Sequence, residues 1–221
     1  MTAKDYFRFI VEEIHSTVAA TVDENGLPVT CVIDMMDYDE QKKGIEVRKT
    51  TDEGGLYFLT AKGKNFCKRL RGRQYISVSG MKGSDTMSCT AVTVSGKVTE
   101  IGSERLPILL EKNPYMYEIY PTEESRRALT VFKICEGRGE WFDLSKKPIE
   151  RASFIFGNAE ETKQGYFIGS GCTGCGKCLA VCPQKCISIN EGQAEIHGEN
   201  CLHCGNCMEV CPSGSVMKRG Q

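Results

Sequence analysis

The pattern C-x2-C-x2-C-x3-C-P occurs twice near the end of this 221-residue chain, at Cys172–Pro183 and Cys201–Pro212. The second copy repeats every cysteine of the first 29 positions later. Nine of the 13 cysteines fall between residues 172 and 211, while Cys31, Cys67, Cys89 and Cys135 are scattered singly. A secreted scaffold spreads its cysteines through a small stapled domain. Here they crowd one end of a chain long enough to build a core without them, so they read as metal ligands in a reducing compartment.

The spacing has a physical reason. Three cysteines at intervals of three wrap a tight loop round one centre, and Gly174, Gly176 and Gly205 permit close backbone approach. Backbone N–H groups of such a loop can face sulfur and offset its negative charge. The residues after Cys178 and Cys207 are predicted to form short helices, ended by Pro183 and Pro212. Structural zinc also takes four thiolates, but zinc ribbons separate two C-x2-C pairs and need no third cysteine or C-P in each half.

Over residues 165–219 the tail resembles the bacterial two-cluster ferredoxins, in which the fourth cysteine of each run serves the other cluster. The resemblance implies Cys172, Cys175, Cys178 and Cys211 on one 4Fe–4S centre, and Cys201, Cys204, Cys207 and Cys182 on the second. Cys186 matches Ser215 in the repeat and is expected to be a buried thiol; His203 is expected beside the ligands without being one. The oxygen sensitivity of such clusters points to an anaerobic host.

The larger N-terminal part follows a different rhythm. Residues 2–15 place Tyr6, Phe7, Phe9, Ile10, Val11 and Ile14 at helical spacing. Short strand-like runs follow at Val18–Val22, Val29–Met36, Gly55–Thr60, Tyr75–Ser79 and Thr90–Val98, with a turn at Asp23–Gly26 and a charged loop through Lys43. Helices are predicted over Asn65–Arg71, Ser103–Lys112 and Thr122–Ala128, the last opened by the cap Thr122-x-x-Ser125. This is the pattern of an α+β, mainly β fold: a barrel or sandwich with peripheral helices.

Three stretches sharpen that expectation: Ala19–Pro28, Gly55–Lys64 with its Thr60-Ala61-Lys62-Gly63-Lys64, and Val92–Val98. Across roughly residues 1–150 they are similar to the pyridoxamine 5′-phosphate oxidase-like flavoproteins, which are FMN-binding split β-barrels. The resemblance implies a homodimer through the barrel with FMN at the subunit interface. It implies too that Val32, Ile33, Asp34 and Met35 run beside the isoalloxazine ring, and that Thr60, Ala61, Lys62, Lys64 and Asn65 meet the phosphate. A dianionic phosphate suits N–H groups at a helix start together with cations. Cys31 stands where vitamin oxidases of this family commonly carry an arginine, which counts against pyridoxamine-phosphate oxidation. Relatives of the same fold bind haem or a deazaflavin. Trp141, the single tryptophan, is expected in the barrel core.

The resulting organisation is an FMN-binding split-barrel domain at 1–147, a linker at 148–164 whose Phe154-Ile-Phe156 triplet docks it, and a ferredoxin-like domain with two 4Fe–4S clusters at 165–221. Hydrophobic residues at 40% support a packed core. With 28 Lys and Arg against 29 Asp and Glu, no bulk charge favours a nucleic-acid partner. No apolar run reaches membrane-spanning length and no secretion signal opens the chain, so a cytoplasmic protein with no membrane partner is expected. The expected function is electron transfer between FMN and the clusters, serving a redox partner protein or a small-molecule donor or acceptor. A flavin-dependent reductase of a small organic substrate and a redox sensor are the alternatives. No dinucleotide fingerprint supports direct use of NAD(P)H.

Overall fold

A computed structural model describes residues 1–39, 54–160 and 164–219; the charged loop expected through Lys43 lies outside them. The chain divides into two compact units. One comprises Met1–Gly83, Ala91–Glu140 and Ser153–Glu160; the other Ser84–Thr90, Trp141–Ala152 and Glu161–Gln221.

In the first unit, helix α1 (Ala3–Arg8) begins at Thr2, whose backbone N–H and hydroxyl both donate to Asp5 at 2.8 and 2.9 Å. It widens into a π-helical segment, Phe9–Ile14, and stops at His15, whose φ of 61° lies outside the helical range. The expected apolar face is real: Tyr6, Phe7 and Ile10 are buried. Tyr6 stacks on Phe154 at 4.3 Å between centroids, and Phe7 meets Phe156 edge-on at 5.0 Å. The Phe154–Phe156 triplet is thus an anchor, as its composition predicted.

Strands β1 (Ser16–Val22) and β2 (Pro28–Asp34) pair antiparallel with Val18 opposite Val32. Their turn is held by the Asp23 carboxylate, which accepts from the N–H groups of Asn25 and Leu27 at 2.9 Å each. There follow β3 (Asp37–Tyr38), β4 (Leu56–Ala61), α2 (Asn65–Arg73), β5 (Tyr75–Lys82) and β6 (Thr90–Gly102). The last elements are α3 (Leu106–Lys112), α4 (Met116–Ile119), α5 (Glu123–Arg126), β7 (Leu129–Asp143) and β8 (Glu150–Phe156). The sheet runs β2-β1-β5-β6-β7-β4-β3, with β8 also paired to β7.

Strand β7 is the longest of these and the sequence reading missed it. Glu136-Gly137-Arg138-Gly139 looks like a turn. In the fold these glycines let neighbours come close instead: a side chain at Gly137 would strike the Ser95 carbonyl, and one at Gly139 the Phe154 ring. Trp141, expected in the barrel core, is only half-buried near the end of β7.

Helices α3 and α4 pack Leu106, Leu109, Leu110 and Met116 against Met36, Tyr57, Leu129 and Val131. An ion network fixes their position. The fully buried Asp37 accepts two N–H bonds from Arg105 (3.0 and 2.8 Å) and one from Lys112 (2.6 Å). Removing one member of such a group leaves buried charge without compensation, so the pairing dictates where α3 sits.

The β1–β2 hairpin inverts the usual pattern. Thr17, Ala19 and Thr21 point inward, the threonines donating to the carbonyls of Ile33 and Val29, while Val18, Val22 and Val32 are exposed at 49%, 38% and 69%.

The second unit is made of small pieces. Strand β9 (Tyr166–Ile168) pairs with β12 (Val216–Lys218), and β10 (Ile187–Asn190) with β11 (Gln193–Ile196). Helices α6 (Lys177–Val181) and α7 (Asn206–Glu209) follow the third cysteine loops, ending before Pro183 and Pro212 as predicted. The 29-residue repeat extends to the backbone: Gly174 and His203, Gly176 and Gly205, Lys185 and Gly214 all have φ between 51° and 85°. At the first pair the residue differs for a steric reason. A side chain at 174 would collide with the Gly192 carbonyl, whereas His203 has room and sets its ring edge-on to Tyr166 at 6.5 Å.

Candidate functional site

The eight cysteines of the two motifs line two cavities of equal size, about 20 Å³ each. Cys172, Cys175, Cys178 and Cys211 border one; Cys182, Cys201, Cys204 and Cys207 border the other. Each cavity therefore takes three cysteines from one half of the repeat and the fourth from the other half. Helices α6 and α7 produce the exchange by carrying Cys182 and Cys211 away from their own loops. The repeat also governs exposure. Cys178 and Cys207 are buried, whereas Cys175 and Cys204 are exposed.

The surroundings suit sulfur ligands bearing negative charge. The N–H of Ala194 donates to Cys172 Sγ and that of His203 to Cys201 Sγ, both at 3.4 Å. The Ser213 hydroxyl, with the N–H groups of Val216, Ser215 and Ser213, brings the Cys211 thiol down to about 7. Burial pushes Cys178 and Cys207 the other way. Ile168, Ala194 and Val216 wall the first cavity and Ile187, Ile196 and Leu202 the second, a set of soft donors in apolar surroundings that fits an iron–sulfur cluster. Among the described residues, no three His, Cys, Asp or Glu side chains are placed to hold a single metal ion.

A fifth thiol stands at the second cavity. Cys186 is buried, with its Sγ 3.5 Å from that of Cys182, and burial, then Cys182 and Cys201, push it up to about 12. His203 lines neither cavity.

The barrel has a cavity of about 250 Å³, walled by Cys31–Asp34 of β2, Leu59–Ala61 of β4, Lys64, Phe66 and the Tyr115–Tyr120 region. Of the residues singled out in sequence, Val32, Ile33, Asp34, Thr60, Ala61 and Lys64 border it. Met35 faces away and is fully buried, and Asn65 opens α2 without forming the wall. Lys62 lines a different cavity and donates its Nζ to the Arg127 carbonyl at 2.8 Å. An apolar and aromatic wall, a cation and a helix start at one end suit a flavin mononucleotide.

Tyr115 was not anticipated from sequence. Its hydroxyl donates to Asp34 at 2.7 Å and lies 3.2 Å from His15 Nε2; Ser16 donates to the other Asp34 oxygen at 2.6 Å. Burial raises the Asp34 carboxyl, but the Ser16 and Tyr115 hydroxyls and His15 more than offset it and hold the group below its ordinary value. Burial and that carboxylate push the Tyr115 phenol upward. Burial likewise raises Cys31, opposed by Arg69 and Lys64. Arg69, reaching Thr21 at 2.7 Å from α2, thus brings a guanidinium near Cys31.

Residues 171–215 match the family described as 4Fe-4S dicluster domain. Among solved structures, a NimC/NimA family protein from Clostridium acetobutylicum is similar at a TM-score of 0.50 with 16% identity, over 70% of this chain and 90% of that one. A heme binding protein from Mycobacterium smegmatis is similar at 0.50 with 13% identity, over 70% and 58% respectively. A pyridoxamine 5′-phosphate oxidase-related, FMN binding protein from Nostoc punctiforme scores 0.47 at 10% identity, over 72% and 91%. No curated protein matches the sequence. The tail is an iron–sulfur domain of the 4Fe–4S dicluster type, and the barrel shares its fold with the two proteins matched at a TM-score of 0.50. The chain is a fusion of tail and barrel. Among the described residues no helix is long and apolar enough to cross a membrane.

Proposed function

We propose that the chain is an electron-transfer oxidoreductase component whose barrel binds FMN and whose tail holds two 4Fe–4S centres. When bound, FMN exchanges electrons in pairs or singly, whereas the clusters carry single electrons, so the two together interconvert the two kinds of traffic. The observation that carries the reading is the sorting of eight cysteines into two cavities, in the same chain as a barrel cavity bordered by Lys64.

Each residue has a role in this reading. The four cysteines of each cavity ligate its centre. Strand β2 presents Val32, Ile33 and Asp34 to the ring, while Lys64 and the start of α2 take the phosphate. The exposed Cys175 and Cys204 bring one edge of each centre to the surface, where an electron can leave or enter. Lys177, Lys185, Lys218 and Arg219 are exposed as well and suit an acidic redox partner.

The test is an anaerobic reductive titration of the whole protein, followed by visible absorption and paramagnetic resonance. Flavin and cluster signals are expected to move toward a common equilibrium after each addition. Signals that never equilibrate, or a colourless protein holding stoichiometric zinc, would refute the proposal.

A second reading, reduction of a small organic compound in the barrel cavity, is favoured by the Asp34–Tyr115–His15 cluster, which places exchangeable protons at the wall. Turnover with a chemical reductant selects it.

The outward valines of β1 and β2 fit a second copy of the chain, in keeping with the homodimer that the barrel resemblance implies. Val32→Glu is expected to convert the dimer to monomer in sedimentation experiments, because a charge buried in an apolar interface costs several kcal/mol, on the order of 3 or more. A variant that sediments like the parent dimer removes this face from consideration.

A further inference from the structure

The two cavities of the tail differ in one residue that bears on ligation. Positions 186 and 215 are equivalent in the 29-residue repeat, and each lies at a cavity beside the cysteine contributed from the other half. Position 215 is a buried serine, its hydroxyl 2.9 Å from that of Ser213, which in turn lies 3.6 Å from Cys211 Sγ. Position 186 is a buried cysteine 3.5 Å from Cys182 Sγ. One cavity therefore has four thiols, with hydroxyls at Thr173, Ser213 and Ser215, and the other has five thiols.

The fifth thiol is held in place by its backbone. Lys185, with φ of 51°, folds the chain back after Pro183, and its N–H donates to the Cys182 carbonyl at 3.2 Å. The N–H of His197 donates to the Cys186 carbonyl at 2.8 Å. Cys186 thus faces the same space as Cys182 without extending any strand or loop.

We infer that Cys186 is a reserve ligand for the second centre, able to take the coordination place of Cys182. This rests on the dicluster reading above. The exchange balances without an oxidant or reductant: Cys186 gives up its thiol proton and binds the iron that Cys182 leaves, and the departing Cys182 thiolate takes up a proton. One Fe–S bond forms, one breaks, and no electron moves. The first cavity has no such substitute, because a serine hydroxyl is a harder and far less acidic donor than a thiol. The two centres therefore differ in tolerance: the second survives loss of its crossed-over cysteine and the first does not.

The test compares Cys182→Ala, Cys211→Ala and the double variant Cys182→Ala/Cys186→Ala in the full chain, purified without oxygen. Iron, sulfide and the paramagnetic resonance of the reduced protein are measured. Cys182→Ala is expected to keep the iron of the parent, about eight per chain for two complete cubanes, with a shifted signal from one centre. Cys211→Ala and the double variant are expected to fall toward half that content. Equal iron in Cys182→Ala and the double variant overturns the inference, as does failure of Cys182→Ala and the milder Cys182→Ser to fold. A parent protein without eight iron overturns the dicluster reading instead, so the two failures are distinguishable.

Discussion

Removing iron from the intact protein with a chelator is expected to unfold residues 165–219 while the barrel keeps its own cooperative transition. The tail's buried set is Cys178, Cys186, Ile187, Ala194, Cys201, Cys207 and Val216, so four of its seven members are thiols. Its strands are three or four residues long and its helices four or five. Burying Ile187 and Val216 contributes about 1.5–3 kcal/mol each. Fixing the backbone costs roughly 1–2 kcal/mol per residue. A segment this small needs staples, and ligand bonds to metal are the staples its sequence offers. Hydrogen exchange read by mass spectrometry would show tail amides losing protection on chelation, with those of β1, β5 and β6 retaining theirs. A tail that stays protected after its iron is gone would mean the apolar residues suffice, and that the cysteines are less structural than argued.

The second large effect concerns FMN. Lys64→Glu is expected to weaken FMN binding about 100-fold, which corresponds to about 2.7 kcal/mol, since it replaces the cation at the cavity wall with a charge repelling the phosphate. Lys62→Glu should have a much smaller effect, although the two lysines sit in one motif, because Lys62 is tied to the Arg127 carbonyl and lines another cavity. Titrating flavin-free protein with FMN and following fluorescence quenching separates the two. Equal losses would place the phosphate between the lysines, and no loss at Lys64 would place it elsewhere.

The contrast between those lysines shows where sequence reading succeeds and stops. The cysteine spacing marked the tail as metal-binding because ligand geometry is local, while the choice of which fourth thiol joins which three came from the resemblance to two-cluster ferredoxins. Strands β1, β2, β4, β5 and β6 were legible from β-branched runs between turn signals. Strand β7 was not, because its glycines serve close packing across strands and such contacts have no local signature. Lys62 and Lys64 are indistinguishable by spacing, and only the carbonyl of a residue 65 positions away from Lys62 separates them. Tyr115 belongs to the same class. It reaches Asp34 from 81 residues away, out of a segment of broken helical turns with no motif to mark it. Cys186 was seen in sequence as the partner of Ser215, but its nearness to Cys182 follows from the left-handed turn at Lys185, which a lysine does not advertise.

Val32 has two memberships: it borders the barrel cavity and it is the most exposed of the outward valines. If the barrel binds FMN and pairs with a second copy through this face, as proposed, occupancy and association are thermodynamically linked, each altering the other by the same factor. Dilution would then bleed prosthetic group from the protein, and saturating it would hold copies together.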